Sequence, residues 1–197
     1  MNDADFSNVI QAVRLFADYD RPWAVCGGWA IDLFLNRITR SHKDVDFVIL
    51  RRDQLVIQEH LLSRGWFLEK AVNGQLVPWQ IGEWIDLPVH TILCKYPKAS
   101  PDLVELLFNE VDEVNFFFRR NHSITLPLGK MIISTASGIP ILAPEIVLLY
   151  KSANPEDPSA GIDFKNVLPE LSPETCDWLA DALRKLYPIH IWLEDLS

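Results

Sequence analysis

The chain has 197 residues, 49% of them apolar, and a formal net charge of -9. That length and apolar content bound it to one domain, or a domain with an appendage, and exclude an intrinsically disordered chain. The acidic balance argues against nucleic acid as a partner, since phosphates call for a basic surface, and is compatible with a cationic small substrate. Cys26, Cys94 and Cys176 are odd in number and widely spaced, and no C-x-x-C occurs. Free thiols in a reducing cytoplasm fit this better than a disulfide framework or a zinc cluster. The acidic start "MNDADFSNVI" lacks the basic and apolar parts of a signal peptide, and no apolar run approaches the ~18 residues needed to cross a membrane. A cytoplasmic protein without a membrane partner is expected.

In chain order, "DFSNVIQAVRLFADY" places Phe6, Val9, Ile10, Val13 and Phe16 on one helical stripe. "RPWAVCGG" reads as a short apolar strand ending in two glycines, and "WAIDLFL" resumes at helical spacing. "DVDFVILRR" is the next strand, followed by a helix over "RDQLVIQEHLLSRG" with Gly65 as its stop. "WFLEKAV" and "QLVPWQI" form a hairpin about Asn73-Gly74, a pair suited to the tight turn between antiparallel strands. "EWIDLPVHTILCKY" reads as strand and loop, and "PDLVELLFNEVDEVNFFFRR" as two strands joined at Asp112-Glu113. "PEIVLLYKSA" is a helix with proline in its first turn, "NPEDPSAG" a polar loop, and "SPETCDWLADALRKLY" a helix capped by Ser172. "IHIWLEDL" suggests a last short helix. The resulting architecture is α/β (α+β): a mixed sheet with flanking helices over residues 1–125, then a mostly helical region over 126–197.

Within "RSHKDVDFVIL", Asp44 and Asp46 stand two apart at the mouth of an otherwise apolar strand, so both side chains face the same way. Two charges about 6 Å apart repel by roughly 3 kcal/mol at an effective dielectric of 20. Either one acid keeps a proton or a cation sits between them, and a hard divalent ion such as Mg2+ takes carboxylate oxygens while leaving positions for phosphate. The plainer alternative is a solvated acid pair with Lys43 and Arg40 as partners. Gly27 and Gly28 lie between a strand and a helix, where a ligand can approach the backbone and a helix N-terminus favours phosphate. Glycine turn, helix and acid-bearing strand together suit a nucleoside triphosphate with magnesium.

The window "GGWAIDLFLNRITRSHKDVDF" resembles the core motif of the polymerase-beta-like nucleotidyltransferase superfamily, and more narrowly the small adenylyltransferases of aminoglycosides and lincosamides. Gly27, Gly28, Trp29, Asp32, Arg40, His42, Asp44 and Asp46 carry that resemblance. A Pro-Glu-x-x-Leu-Leu helix at Glu145 and the Asp163-Phe164 pair extend it more weakly. The resemblance implies a nucleotidyltransferase core that moves AMP from ATP, with Mg2+, to a hydroxyl of a small molecule, an antibiotic being the family-level expectation. Toxin-like modification of protein or RNA and a catalytically degenerate nucleotide-binding protein are the alternatives.

The resemblance makes Asp44 and Asp46 metal ligands and turns Gly27 and Gly28 toward the triphosphate. Arg40, Lys43 and Lys151 would neutralise phosphate charge, and His42 would be a hydrogen-bonding support. A third acid on a neighbouring strand completes such sites as metal ligand or general base. Glu105, inside an apolar strand, is favoured over Glu110 and Asp86, and the three remain open. Trp79, Trp84 and Phe116 to Phe118 are expected in the core rather than in a substrate cleft. Short relatives that complete their cleft with a second subunit make a homodimer one further expectation.

Overall fold

In a computed structural model, residues 6–196 are described. The acidic start read for a missing signal peptide therefore falls largely on residues 1–5, outside the described residues. In chain order the elements are α1 (Ser7–Val13), β1 (Trp23–Cys26), α2 (Gly27–Leu35), β2 (Asp46–Leu50), α3 (Gln54–Leu62), β3 (Phe67–Val72), β4 (Gln75–Pro78), β5 (Thr91–Lys95), β6 (Leu103–Val111), β7 (Asn115–Phe117), β8 (Thr125–Pro127), α4 (Leu128–Met131), β9 (Ile132–Ser134), β10 (Pro140–Leu142), α5 (Pro144–Lys151), α6 (Pro158–Val167) and α7 (Pro173–Leu186).

The strands form one mixed sheet in the order β4-β3-β5-β6-β2-β1-β10-β9, with β7 and β8 added beyond the far end of β6. The most apolar runs lie in the middle. Phe47, Val48, Ile49 and Leu50 of β2 are all buried, as an inner strand covered on both faces must be. Edge strand β4 is largely exposed. Its hairpin with β3 turns at Asn73 (φ 49°) and Gly74 (φ 76°), the two left-handed residues that an Asn-Gly turn requires.

Register positions the site. β2 runs parallel to β6 with Asp46 opposite Glu105, and antiparallel to β1 with Asp46 opposite Cys26. The start of β2, the early part of β6 and the end of β1 therefore meet at one edge, where α2 begins without an intervening loop. The strand expected from Asp44 starts at Asp46 instead. β1 gives way to Gly27, whose φ of +64° turns the chain out of the sheet, so no β1 residue remains to pair with Asp44. Only β6 follows further, through the Glu105 N–H donating to the Val45 carbonyl at 3.1 Å.

The region after residue 125 is not helical throughout. β9 and β10 enter the main sheet, β10 lying parallel to β1 at Val25 and Ile141. Their three-residue length leaves too few alternations for a strand pattern to show. "NPEDPSAG" also differs from a plain loop, because α6 starts at Pro158. Asp157 accepts from the Ser159 N–H at 2.9 Å, and proline occupies the first helical position. α7 is capped as expected by Ser172, which accepts from the Thr175 N–H at 3.2 Å. The final "IHIWLEDL" is a single 3-10 turn at Ile191–Leu193. α5 is buried along Pro144 to Leu149 and packs on α2, α6 and α7. Among the described residues no helix is long and apolar enough to cross a membrane.

Candidate active site

The loop from Asn36 to Val45 carries Arg40, His42 and Asp44 of the motif and has no secondary structure of its own, so side chains must hold it. Asp32, fully buried on α2, does so. Its carboxylate accepts from the Thr39 N–H at 3.0 Å, the Thr39 hydroxyl at 2.5 Å and His42 Nε2–H at 2.5 Å. The His42 ring also packs on Trp29, with centroids 4.4 Å apart. His42 is thus the support expected of it. Gly28 is small for a reason: a Cβ there would collide with the Arg40 guanidinium and the His42 ring.

Arg40 reaches in the other direction. It donates from Nε and Nη2 to the two oxygens of Asp163 on α6, each at 2.8 Å. Lys151, the last residue of α5, lies 3.0 Å from the same carboxylate. Asp163 is fully buried, so two cations share one acid that no water reaches. The hydrogen bond with Asp163 holds Arg40 more firmly protonated than usual. The sequence marked Arg40 and Lys151 as phosphate neutralisers and assigned Asp163 no role. Their first contact in the structure is a brace between the motif loop, α5 and α6, while both still line the cleft.

That cleft encloses about 570 Å³ and is lined by Gly27, Gly28, Arg40, Lys43, Asp46 and Lys151, among others. Asp44 is exposed at its mouth and Asp46 half-buried. Burial raises the Asp46 carboxyl to about 7, Asp44 and Glu105 add to the rise, and Lys151 opposes it. Glu105 is raised as well, by burial and then by Asp44. Asp44 thus opposes the ionisation of both Asp46 and Glu105, a condition that a hard cation would relieve. Among the described residues no three His, Cys, Asp or Glu side chains are arranged to hold a metal ion alone. The donor chemistry still fits Mg2+, which binds through one or two carboxylates plus substrate phosphates rather than in an all-protein cage.

The other two candidate acids lie elsewhere. Glu110 is bound by Arg51 Nε at 2.6 Å, and Arg51 also donates to the Ile85 and Val89 carbonyls. Asp86 sits in the loop before β5 and accepts from Trp84 Nε1–H at 3.0 Å. Trp79, Phe116 and Phe118 are buried in the core, whereas Trp84 is half-exposed. All three cysteines are free, Cys26 and Cys94 buried and Cys176 half-buried. Burial pushes the Cys26 thiol up, as do Asp46 and Glu105, so it stays an inert apolar neighbour of the acids.

Gly27 offers a local test. A Cβ there would stand 2.5 Å from Asp46 Oδ2 on a residue with φ of +64°. Gly27→Ala should destabilise the fold by about 2 kcal/mol, read from the urea midpoint, and displace Asp46. A midpoint equal to wild type would show that the approach is not tight.

Comparison with known proteins finds similar folds and one partial family match. The family model described as aminoglycoside-2''-adenylyltransferase matches residues 8–80, which hold the glycine turn, the motif loop and β2. No curated protein matches significantly. The solution structure of the antibiotic-resistance factor ANT(2'')-Ia matches with TM-score 0.61 and 15% identity, covering 95% of each chain. The crystal structure of ANT(2'')-Ia in complex with adenylyl-2''-tobramycin matches with TM-score 0.59 and 12% identity, over 93% of this chain and 99% of that one. Lincomycin-bound LnuA, a lincosamide antibiotic adenylyltransferase, matches with TM-score 0.57 and 16% identity, over 82% of this chain and 94% of that one. The chain has the fold of these adenylyltransferase structures, and over residues 8–80 it resembles the aminoglycoside-2''-adenylyltransferase family.

Proposed function

We propose that the chain transfers AMP from ATP to a hydroxyl of a small molecule, with Mg2+ held by Asp44, Asp46 and Glu105. The observation that carries this reading is the register of Asp46 with Glu105 beside the N-terminus of α2. Magnesium would supply charge stabilisation on the attacking and leaving oxygens. The chain's own residues do the rest. Gly27 and Gly28 open α2, whose N-terminal N–H groups would meet the triphosphate, and Lys43 and Lys151 would offset its charge. The acceptor oxygen bonds to the α-phosphorus, the bond from that phosphorus to the bridging oxygen breaks, and pyrophosphate leaves. Glu105, opposite Asp46 on the neighbouring strand, would take the hydroxyl proton.

Pyrophosphate release from Mg-ATP, tested with aminoglycosides, lincosamides and sugars as acceptors, checks the reading. The antibiotics bound by the structural neighbours are the first to try. Glu105→Gln should lower kcat by about 10²- to 10⁴-fold, the range of general acid–base contributions, with the fold retained. Wild-type kcat in that variant would remove Glu105 from the site.

A further inference from the structure

A second cavity, of about 270 Å³, opens beside the first. Gly27 and Lys151 line both. Its apolar lining includes Val48 and Leu107, each two residues beyond Asp46 and Glu105, and so on the same face of the sheet. Every charged residue lining it is basic: Arg119, Arg120 and Lys151. The chain's net charge of -9 is thus reversed locally.

All three cations are engaged, Arg119 through the Tyr150 side chain. Lys151 pairs with Asp163, and Arg120 donates to the Tyr150 carbonyl at 2.9 Å, near the end of α5. Arg119 lies 5.7 Å from the Tyr150 ring centroid and, among the described residues, forms no ion pair. Burial holds its guanidinium below the ordinary arginine range, and Arg120 and Arg51 push the same way against Tyr150. A half-buried guanidinium always carries its charge, so the site favours an anion that can take its fork of donors. His90 donates from Nδ1 to the Pro88 carbonyl at 2.8 Å and brings no negative charge.

The two cavities differ in chemistry. Gly28 and Lys43 line the first and not the second, and the first suits a triphosphate. In-line displacement brings the attacking oxygen from the side opposite the leaving pyrophosphate, and the second cavity meets the first at Gly27 and Lys151. We infer that the second cavity takes the acceptor, and that the acceptor carries a carboxylate or phosphate, bound by Arg119, on an otherwise apolar body. This rests on the nucleotidyl-transfer reading and narrows it: a polycation such as an aminoglycoside would meet only like charge there.

The test uses the full chain saturated with Mg2+ and a non-hydrolysable ATP analogue, so that the first cleft is filled. Calorimetry then follows 3-phenyllactate, phenyl phosphate and the neutral 3-phenyl-1,2-propanediol. At least one anionic probe should bind tenfold or more tightly than the neutral one. Arg119→Gln should weaken that anion about tenfold to a hundredfold, as expected for loss of a charge-assisted pair, and leave analogue affinity within threefold. Equal binding of acid and neutral probes would overturn the inference, as would anion binding unchanged in Arg119→Gln. Loss of analogue affinity in that variant would instead place the nucleotide in this cavity and overturn it too. Failure of the wild-type chain to bind the Mg-ATP analogue at all would sink the function reading itself.

Discussion

Asp46→Asn is expected to abolish AMP transfer, by at least about a thousandfold, while making the metal-free protein more stable at pH 8. The activity loss follows from removing a proposed metal ligand, since several kcal/mol of charge stabilisation at the phosphorus corresponds to three or more powers of ten. The stability gain follows from the carboxyl itself. Its ordinary value of 3.8 rises to about 7 in the fold, first through burial and then through Asp44 and Glu105. Between about pH 4 and 7 the folded chain holds a proton that the unfolded chain has released. Stability from this group is therefore complete below about 4, is lost as pH rises through 7, and stays lost above. At pH 8 the loss reaches roughly 4 kcal/mol at most, and solvent at the cleft reduces it to about 2 kcal/mol. Asparagine matches the shape without the charge and escapes the loss. Thermal unfolding of both proteins in chelator, from pH 4 to 8, should show wild type weakening with pH and the variant much less so. Mg2+ should raise the wild-type midpoint at pH 8 and leave the variant nearly unmoved. Parallel pH curves for the two proteins would show that Asp46 does not bear the strained charge.

The same residues show how far the site was legible in the sequence. The glycine turn was readable from a local rule, a left-handed residue between strand and helix; Glu105 was marked as an acid inside an apolar strand and lies opposite Asp46, whereas Asp44 precedes the strand whose alternation was to align it. The Asn73-Gly74 hairpin, the proline start of α5 and the Ser172 cap of α7 were likewise readable from local rules. What escaped depends on contacts far apart in the chain. Asp163 is 123 residues from Arg40, and nothing in "GIDFKNV" distinguishes a buried brace from a solvated helix acid. Arg119 follows a run of three phenylalanines, and only the fold shows that it turns toward the face bearing Asp46 and Glu105. β9 and β10 escaped because three residues carry no period, although β10 pairs directly with β1. The helix α6 was within reach, since Asp157-Pro158 is a start signal that the surrounding prolines obscured.

Asp163→Ala should be the most destabilising single change near the site, costing about 3–5 kcal/mol. The cause is not the loss of one attraction. Asp163 is fully buried, while the side chains of Arg40 and Lys151 are 18% and 19% exposed, so removing the acid strands two largely desolvated cations side by side. Their repulsion adds to the unmet hydrogen-bonding need of the Arg40 fork, now satisfied by two bonds of 2.8 Å. The denaturant midpoint of Asp163→Ala should fall accordingly. The combined variant Arg40→Met, Lys151→Met, Asp163→Leu should recover much of the loss, because an apolar trio of similar volume has no charge to desolvate. The two proteins separate stability from function. Asp157, Pro158, Ser159 and Ile162, all in or next to α6, line the first cleft, and Asp163 is what ties α6 to the motif loop. Mg-ATP affinity should therefore fall in both variants, in the single variant through a loosened cleft and in the triple variant through the missing cations. A cost below about 1 kcal/mol for Asp163→Ala would mean that the brace is not buried in solution, and that Arg40 and Lys151 are free to meet phosphate directly.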